Sequence, residues 1–244
     1  MGKFFTVEVK PEIAASKQKL GAFSDGDLIF DWTSFQVPGG AKKLLNATAV
    51  LRSGNGAEAT YALALTFAKS VNFVAPNSLG TIHATANGYG YQNHIIGGCV
   101  IEETDMSPDG LDFVAVGSAG AGSRFFATSL VLNGERDGGS FDGYDTLYVG
   151  GTTIDGDANL ASTVQVSTET STSSAAIVTK TTSILPCFAV GDVLHDEDDQ
   201  ALGTIKTITD ATNLTLEANC ANVSAVNKDI YNLNPIRLVL SFEM

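Results

Sequence analysis

Tyr61, Leu63, Leu65 and Phe67 alternate with Ala62, Ala64 and Thr66, so an extended backbone puts the first set on one face and the second on the other. This two-residue period recurs from one end of the chain to the other and predicts an all-β protein. Residues 4–10 read as an opening strand in which Phe5, Val7 and Val9 share a side. Pro11 then stands ahead of residues 12–20, the one short helix expected, which Gly21 stops. In the next strand Leu28, Phe30 and Trp32 form the core face, and Val37-Pro38-Gly39-Gly40 closes it as a turn. Residues 45–51 are expected to meet residues 61–67 as a hairpin across Ser53-Gly54-Asn55-Gly56, because Asn and Gly tolerate the positive φ of tight hairpin turns.

Residues 71–93 hold Pro76, Asn77, Gly80, Asn87, Gly88 and Gly90 and read as a long exposed loop carrying Phe73, Tyr89 and Tyr91. Such loops in a compact domain carry contacts or function, which makes this one a candidate partner surface. Strands resume over residues 95–103, 111–117, 124–132 and 145–149. Strands at such short intervals predict an antiparallel β-sandwich of jelly-roll type. From Thr163 small hydroxyl residues dominate, so 164–174 reads as a linker or an exposed edge strand. Beyond it, strand patterns on either side of the acidic turn 196–199 predict a small β-barrel-like subdomain. Residues 236–242 form a closing strand of the main type, expected to return beside the opening one. The expected division is a main sandwich over 1–163, completed by 233–244, with residues 164–232 inserted as the small subdomain.

Charge removes some functions from consideration. Lys and Arg total 14 against 27 Asp and Glu, a net charge of −13, and the nearest approach to a basic cluster is Lys42-Lys43. No nucleic-acid partner is expected, since a phosphate backbone is bound by clustered cations. Charged residues are only 17% of the chain, so Ser, Thr, Asn and Gly must supply much of the surface. Such a surface suits packing against neighbours better than steering charged ligands. The near-apolar run 61–68 is far below the ~20 residues of a membrane helix, so a soluble chain with no membrane partner is expected. Met1-Gly2-Lys3-Phe4-Phe5-Thr6 fits a loose myristoylation pattern, and the strand reading is preferred. No signal peptide is recognised, which leaves the acceptor-like Asn46-Ala47-Thr48, Asn213-Leu214-Thr215 and Asn222-Val223-Ser224 without a modification role.

No reaction centre assembles from the residue pattern, and no catalytic residue, metal ligand or cofactor is assigned. Cys99, Cys187 and Cys220 are widely spaced and read as small core residues, in keeping with a reducing compartment. His83, His94 and His195 lie on unrelated segments, and no Gly-x-Ser-x-Gly elbow accompanies them. Gly117-Ser118-Ala119-Gly120-Ala121-Gly122 lacks the Lys and the following helix of a phosphate loop and reads as a turn. Asp155, Asp157 and Asn159 alternate as calcium ligands do. Leu160 and Val166 then stand where that motif needs Gly and Glu, so an Asp-Gly turn is preferred, with Asp137, Asp142 and Asp145 as nearby acids. Asp196-Glu197-Asp198-Asp199 reads as a solvated turn tip. Trp32, Phe73, Tyr89, Tyr91 and Tyr144 are candidate stacking faces for carbohydrate, although Trp32 is expected in the core.

Three segments carry a resemblance. Phe30-Asp31-Trp32-Thr33-Ser34-Phe35, Phe67-Ala68-Lys69-Ser70 with Ala75-Pro76-Asn77-Ser78-Leu79-Gly80, and Asn234-Pro235-Ile236-Arg237-Leu238-Val239-Leu240-Ser241-Phe242 resemble virion structural proteins of tailed bacteriophages of the myovirus and cyanophage type. Val190-Gly191-Asp192-Val193 followed by Gly203-Thr204-Ile205 is similar to modules of phage particle proteins. The resemblance implies a non-enzymatic virion protein made in the bacterial host cytoplasm. A capsid decoration or cement protein leads, with the major capsid protein and further copies of the chain, as a trimer, for partners. A neck, tail or fibre component, a carbohydrate-binding adhesin and a calcium-dependent hydrolase are the alternatives.

Overall fold

The computed structural model describes residues 3–52, 54, 60–87, 93–107, 114–119, 130–135, 143–154, 158–180, 184–185 and 187–244. The chain is nearly all β, with antiparallel sheets packed on one another, as the alternation predicts. It opens with β1 (Phe4–Val9), α1 (Ala15–Gln18), β2 (Leu28–Pro38), β3 (Lys42–Arg52), β4 (Leu63–Lys69) and β5 (Ile95–Ile101). A single 3-10 turn at Glu103–Asp105 leads into β6 (Met106–Ser107), β7 (Val114–Ala119), β8 (Leu130–Leu132) and β9 (Tyr144–Thr153). The remainder comprises β10 (Ala176–Val178), β11 (Val193–Asp196), β12 (Ala201–Ile208), β13 (Asn213–Leu216), β14 (Ile230–Asn232) and β15 (Ile236–Glu243).

One sheet runs β1-β15-β3-β7-β6, with β8 also paired to β3, and a second runs β2-β9-β4-β5. Their facing sides share one core, in which Phe30, Phe67, Leu63, Leu65, Leu238, Leu240 and Phe242 are essentially out of solvent. The closing strand lies beside the opening one, in the register Phe4↔Glu243 to Val9↔Leu238. A third sheet, β10-β13-β12-β11-β14, has a separate core around Ile177, Leu194, Leu202, Ile205, Leu214 and Ile230.

Several expectations are corrected. The helix is four residues long, because Ile13 is fully buried and its N–H donates to the Leu233 carbonyl, which keeps the chain extended up to Ala14. Gly21, at φ +94°, follows close behind it. Strands β3 and β4 do not form a hairpin: β3 is flanked by β15 and by β7 and β8, β4 by β9 and β5, so they belong to opposite layers. Asn55 and Gly56 lie outside the described residues. The strand expected over 111–117 is described as Val114–Ala119, and that over 124–132 as Leu130–Leu132. Two register shifts in β2, between Leu28 and Phe30 and between Phe30 and Thr33, break its alternation. Leu28, Ile29 and Phe30 are consequently all buried, while Trp32 leaves the core and is only half-buried.

The hydroxyl-rich segment after Thr163 is neither a linker nor an exposed edge. Val164 and Val166 are fully buried, and the Thr170 hydroxyl receives the N–H of Ser224 at 2.6 Å. On one side Val166 N–H donates to Lys228 and Ile230 N–H to Val164; on the other Ser167 N–H donates to Val178 and Lys180 N–H to Gln165. Both edges of the third sheet are thereby covered, which removes the exposed strand edges that invite unwanted pairing.

Candidate functional site

The residues considered for catalysis are structural where they are described. His83 stacks on Phe23 with ring centroids 4.1 Å apart and donates from Nε2 to the Gly21 carbonyl. His94 donates to the Lys69 carbonyl and His195 to that of Asp199, so the three histidines serve three different places. Cys99, Cys187 and Cys220 are free and buried, and burial pushes the Cys99 thiol up to about 12. Gly117, Ser118 and Ala119 continue β7, and residues 120–122 lie outside the described residues.

Asp155 and Asp157 also lie outside them. Asn159 directs its side-chain oxygen to the Ala161 N–H at 3.0 Å, a local turn contact. Asp137 and Asp142 fall outside as well, and Asp145 is committed to Lys42 at 3.1 Å. Among the described residues no group of three or more His, Cys, Asp or Glu could hold a metal ion.

The acidic turn keeps Asp198 and Asp199 exposed, as a solvated tip would, and it also docks other segments. Asp196 is buried, and its Oδ1 accepts the N–H groups of Asp198 and Gln200. Asp199 receives the Ser16 N–H of α1 at 2.9 Å, Asp198 pairs with Lys19 at 3.6 Å, and Lys228 pairs with Glu197 and Asp198. Gln18 adds a bond to the Asn232 carbonyl. The short helix therefore joins the large unit to the third sheet.

Two outward surfaces remain. On the four-stranded sheet the loop of residues 75–87 is laid over the outer face. Leu79 is buried, its N–H donates to Asp31, and Trp32 Nε1–H donates to the Asn77 carbonyl. Phe73 is 62% exposed at a two-residue turn closed by reciprocal Val71–Val74 bonds, and its N–H is held by Glu135. Tyr144 is exposed at the start of β9, whereas Tyr89 and Tyr91 lie outside the described residues.

The second surface is the outer face of the six-stranded sheet. Phe4 pairs with Glu243, Glu243 with Lys43, and Lys43 with Val131, which makes one row across β1, β15, β3 and β8. Phe4 is 69% exposed and Val131 63%, while Leu45 projects from the same face. The row begins at a free strand edge. Met244 N–H donates to the Lys3 carbonyl, so Lys3, Phe5, Val7 and Val9 turn their backbone groups toward β15. Those of Phe4, Thr6 and Glu8 point outward, and no described strand pairs with them. Residue doublets are the sequence signal for this surface. Phe4-Phe5 and Leu44-Leu45 break the alternation, so one member of each has to face out.

Comparison with protein-family models and with curated proteins finds no match to this chain.

Proposed function

We propose that the chain is a non-enzymatic structural protein of a tailed-bacteriophage virion, a decoration or cement protein that binds neighbouring capsid subunits. The observation that carries the reading is the apolar row Phe4, Leu45 and Val131 beside the outward-pointing backbone of β1. A free edge accepts another strand by backbone hydrogen bonding, and the exposed side chains beside it add apolar burial. Contacts repeated by the symmetry of a shell raise avidity without any single tight patch. The partners in this reading are the major capsid protein and further copies of the chain. The large unit is then a jelly-roll-like sandwich and the third sheet a barrel-like insertion, a view supported by the separate core and the bridging segment 164–167.

The test is binding of purified chain to empty shells that lack it. Saturable binding is expected, lost in a Phe4→Asp, Val131→Asp double variant that keeps its β circular dichroism. Absence of binding to shells, or a location confined to tails, would overturn the head assignment. The adhesin reading is favoured by the exposure of Phe73 and Tyr144, and specific binding on a glycan array lost in Phe73→Ala would transfer the function there.

A further inference from the structure

Lys10, Arg52 and Arg237 converge on one cleft of about 110 Å³ between the six-stranded sheet and the third sheet. Arg52 ends β3, Arg237 follows the start of β15, and Lys10 comes directly after β1, one position beyond the Val9↔Leu238 pair and hence alongside Arg237. The opposite wall is the turn Val190-Gly191-Asp192. In a chain of net charge −13, both arginines among the described residues stand here.

Their neutralisation is incomplete. One carboxylate, Glu8, serves both Lys10 at 3.4 Å and Arg237 at 3.0 Å, and Asp192 serves Arg52 at 2.5 Å. Three cations thus face two carboxylates. Like charges side by side on neighbouring strands disfavour the sheet, so the grouping of Lys10 with Arg237 has a cost that strand pairing does not explain. Arg237 meets Glu8 through Nε, which leaves its two terminal amino groups without a partner among the described residues. Those groups form a planar fork suited to the oxygens of a carboxylate or a phosphate. The cleft has room for a few waters or one oxyanion group and is too small for a nucleotide or a sugar chain.

We infer that this seam cleft is an oxyanion-binding site that takes one phosphate or carboxylate group between Arg237, Lys10 and Arg52. The inference does not depend on the assembly reading. Gly191 and Asp192 form the facing wall, and their N–H groups are already bonded to the Ile205 and Ala189 carbonyls, so the three cations of the large sheet hold the anion.

The test is calorimetric titration of the whole chain at low ionic strength with inorganic phosphate, sulfate and acetate, together with amide shifts by NMR. One saturable site is expected, with shifts confined to residues 10, 50–52, 190–192 and 234–237. Arg237→Gln and Lys10→Gln, which leave the Arg52–Asp192 pair intact, should each weaken binding roughly tenfold, the value of one charge-assisted hydrogen bond. Lys206→Gln, at an exposed lysine of β12, should leave it unchanged. Tighter binding of phosphate assigns a phosphoryl ligand, and tighter binding of acetate assigns a carboxylate. Absence of a saturable site for every anion, or equal weakening in Lys206→Gln, would overturn the inference.

Discussion

Lys42 and Asp145 form an ion pair 3.1 Å long with side chains 0% and 7% exposed, tying the first residue of β3 in one sheet to the second residue of β9 in the other. Asp145 also accepts the Gly40 N–H, and Lys42 donates to the Gly40 carbonyl, so the turn between β2 and β3 is pinned at the same point. Removing one partner strands a buried charge. Lys42→Met is expected to cost about 3–5 kcal/mol, and Lys42→Met with Asp145→Leu to recover most of that. Urea unfolding of the single and double variants measures both, and a single-variant loss below about 1 kcal/mol would show that the pair does not hold the sheets.

Gly150 and Gly151 sit side by side in β9 and are needed on opposite faces. A Cβ on Gly151 would come within 2.2 Å of the Phe30 ring in the core. One on Gly150 would come within 2.4 Å of Leu79 and 3.2 Å of the Trp32 ring on the outer face. Gly151→Ala should cost about 1–3 kcal/mol or more, because Phe30 has no room to move, and Gly150→Ala should loosen the loop over the sheet. Thermal unfolding tests the first. Trp32 fluorescence, shifted to longer wavelength as the indole is freed, tests the second.

Much of this architecture was legible because alternation reports which face a residue takes. The Tyr61 to Phe67 pattern is reproduced in β4, and the closing strand pairs where its composition suggested. Which strands become neighbours was less legible. Asn55-Gly56 is a local signal, whereas β3 and β4 are separated by long-range pairing with β15, β7, β9 and β5. The acidic run reads as a solvated tip, which fits the exposed Asp198 and Asp199, but charge alone does not reveal that Ser16, Lys19 and Lys228 arrive from distant segments to meet it. The apolar row is illegible for a related reason. Alternation separates Phe4 from Phe5, Val7 and Val9, but only the pairing across β15, β3 and β8 brings Phe4 into one row with Val131.

The acidic turn gives a pH signature. The Lys228 ammonium beside Asp198 holds that carboxyl below its ordinary value of 3.8, while Asp198 and Glu197 hold Lys228 above its ordinary 10.5. A folded pKa below the unfolded one stabilises above the ordinary carboxylate range, and the contribution is lost as pH falls through the lowered value. For Lys228 the sign reverses: the contribution is complete below the ordinary lysine value and is lost as pH rises through the raised one. The melting-temperature gap between wild type and Lys228→Met should therefore be level from about pH 5 to 10 and shrink below about pH 4. A gap that widens in acid would contradict the assignment.

Tyr61 is buried two residues ahead of β4, and its hydroxyl has no partner among the described residues. Burial alone holds its pKa above the ordinary phenol range. A buried hydroxyl without a hydrogen bond is a desolvation cost, so Tyr61→Phe should be neutral or stabilising by up to about 1 kcal/mol. Chemical denaturation decides it. A loss greater than that would mean that the hydroxyl is bonded in solution.

Phe73 occupies the left-handed region at φ +63°, following Asn72 at φ +53°, in a turn whose geometry favours Asn-Gly. A bulky residue there costs roughly 1–2 kcal/mol, and the side chain offsets little of it, being 62% exposed. Strain kept at an exposed aromatic points to a use outside the fold. Phe73→Gly should raise the unfolding free energy by about 1 kcal/mol while weakening binding to shells or to glycan. Phe73→Asn keeps a residue tolerant of this backbone and separates relief of strain from loss of the ring. If Phe73→Gly stabilises the chain and leaves every binding measurement unchanged, the ring has no partner and the turn is merely strained.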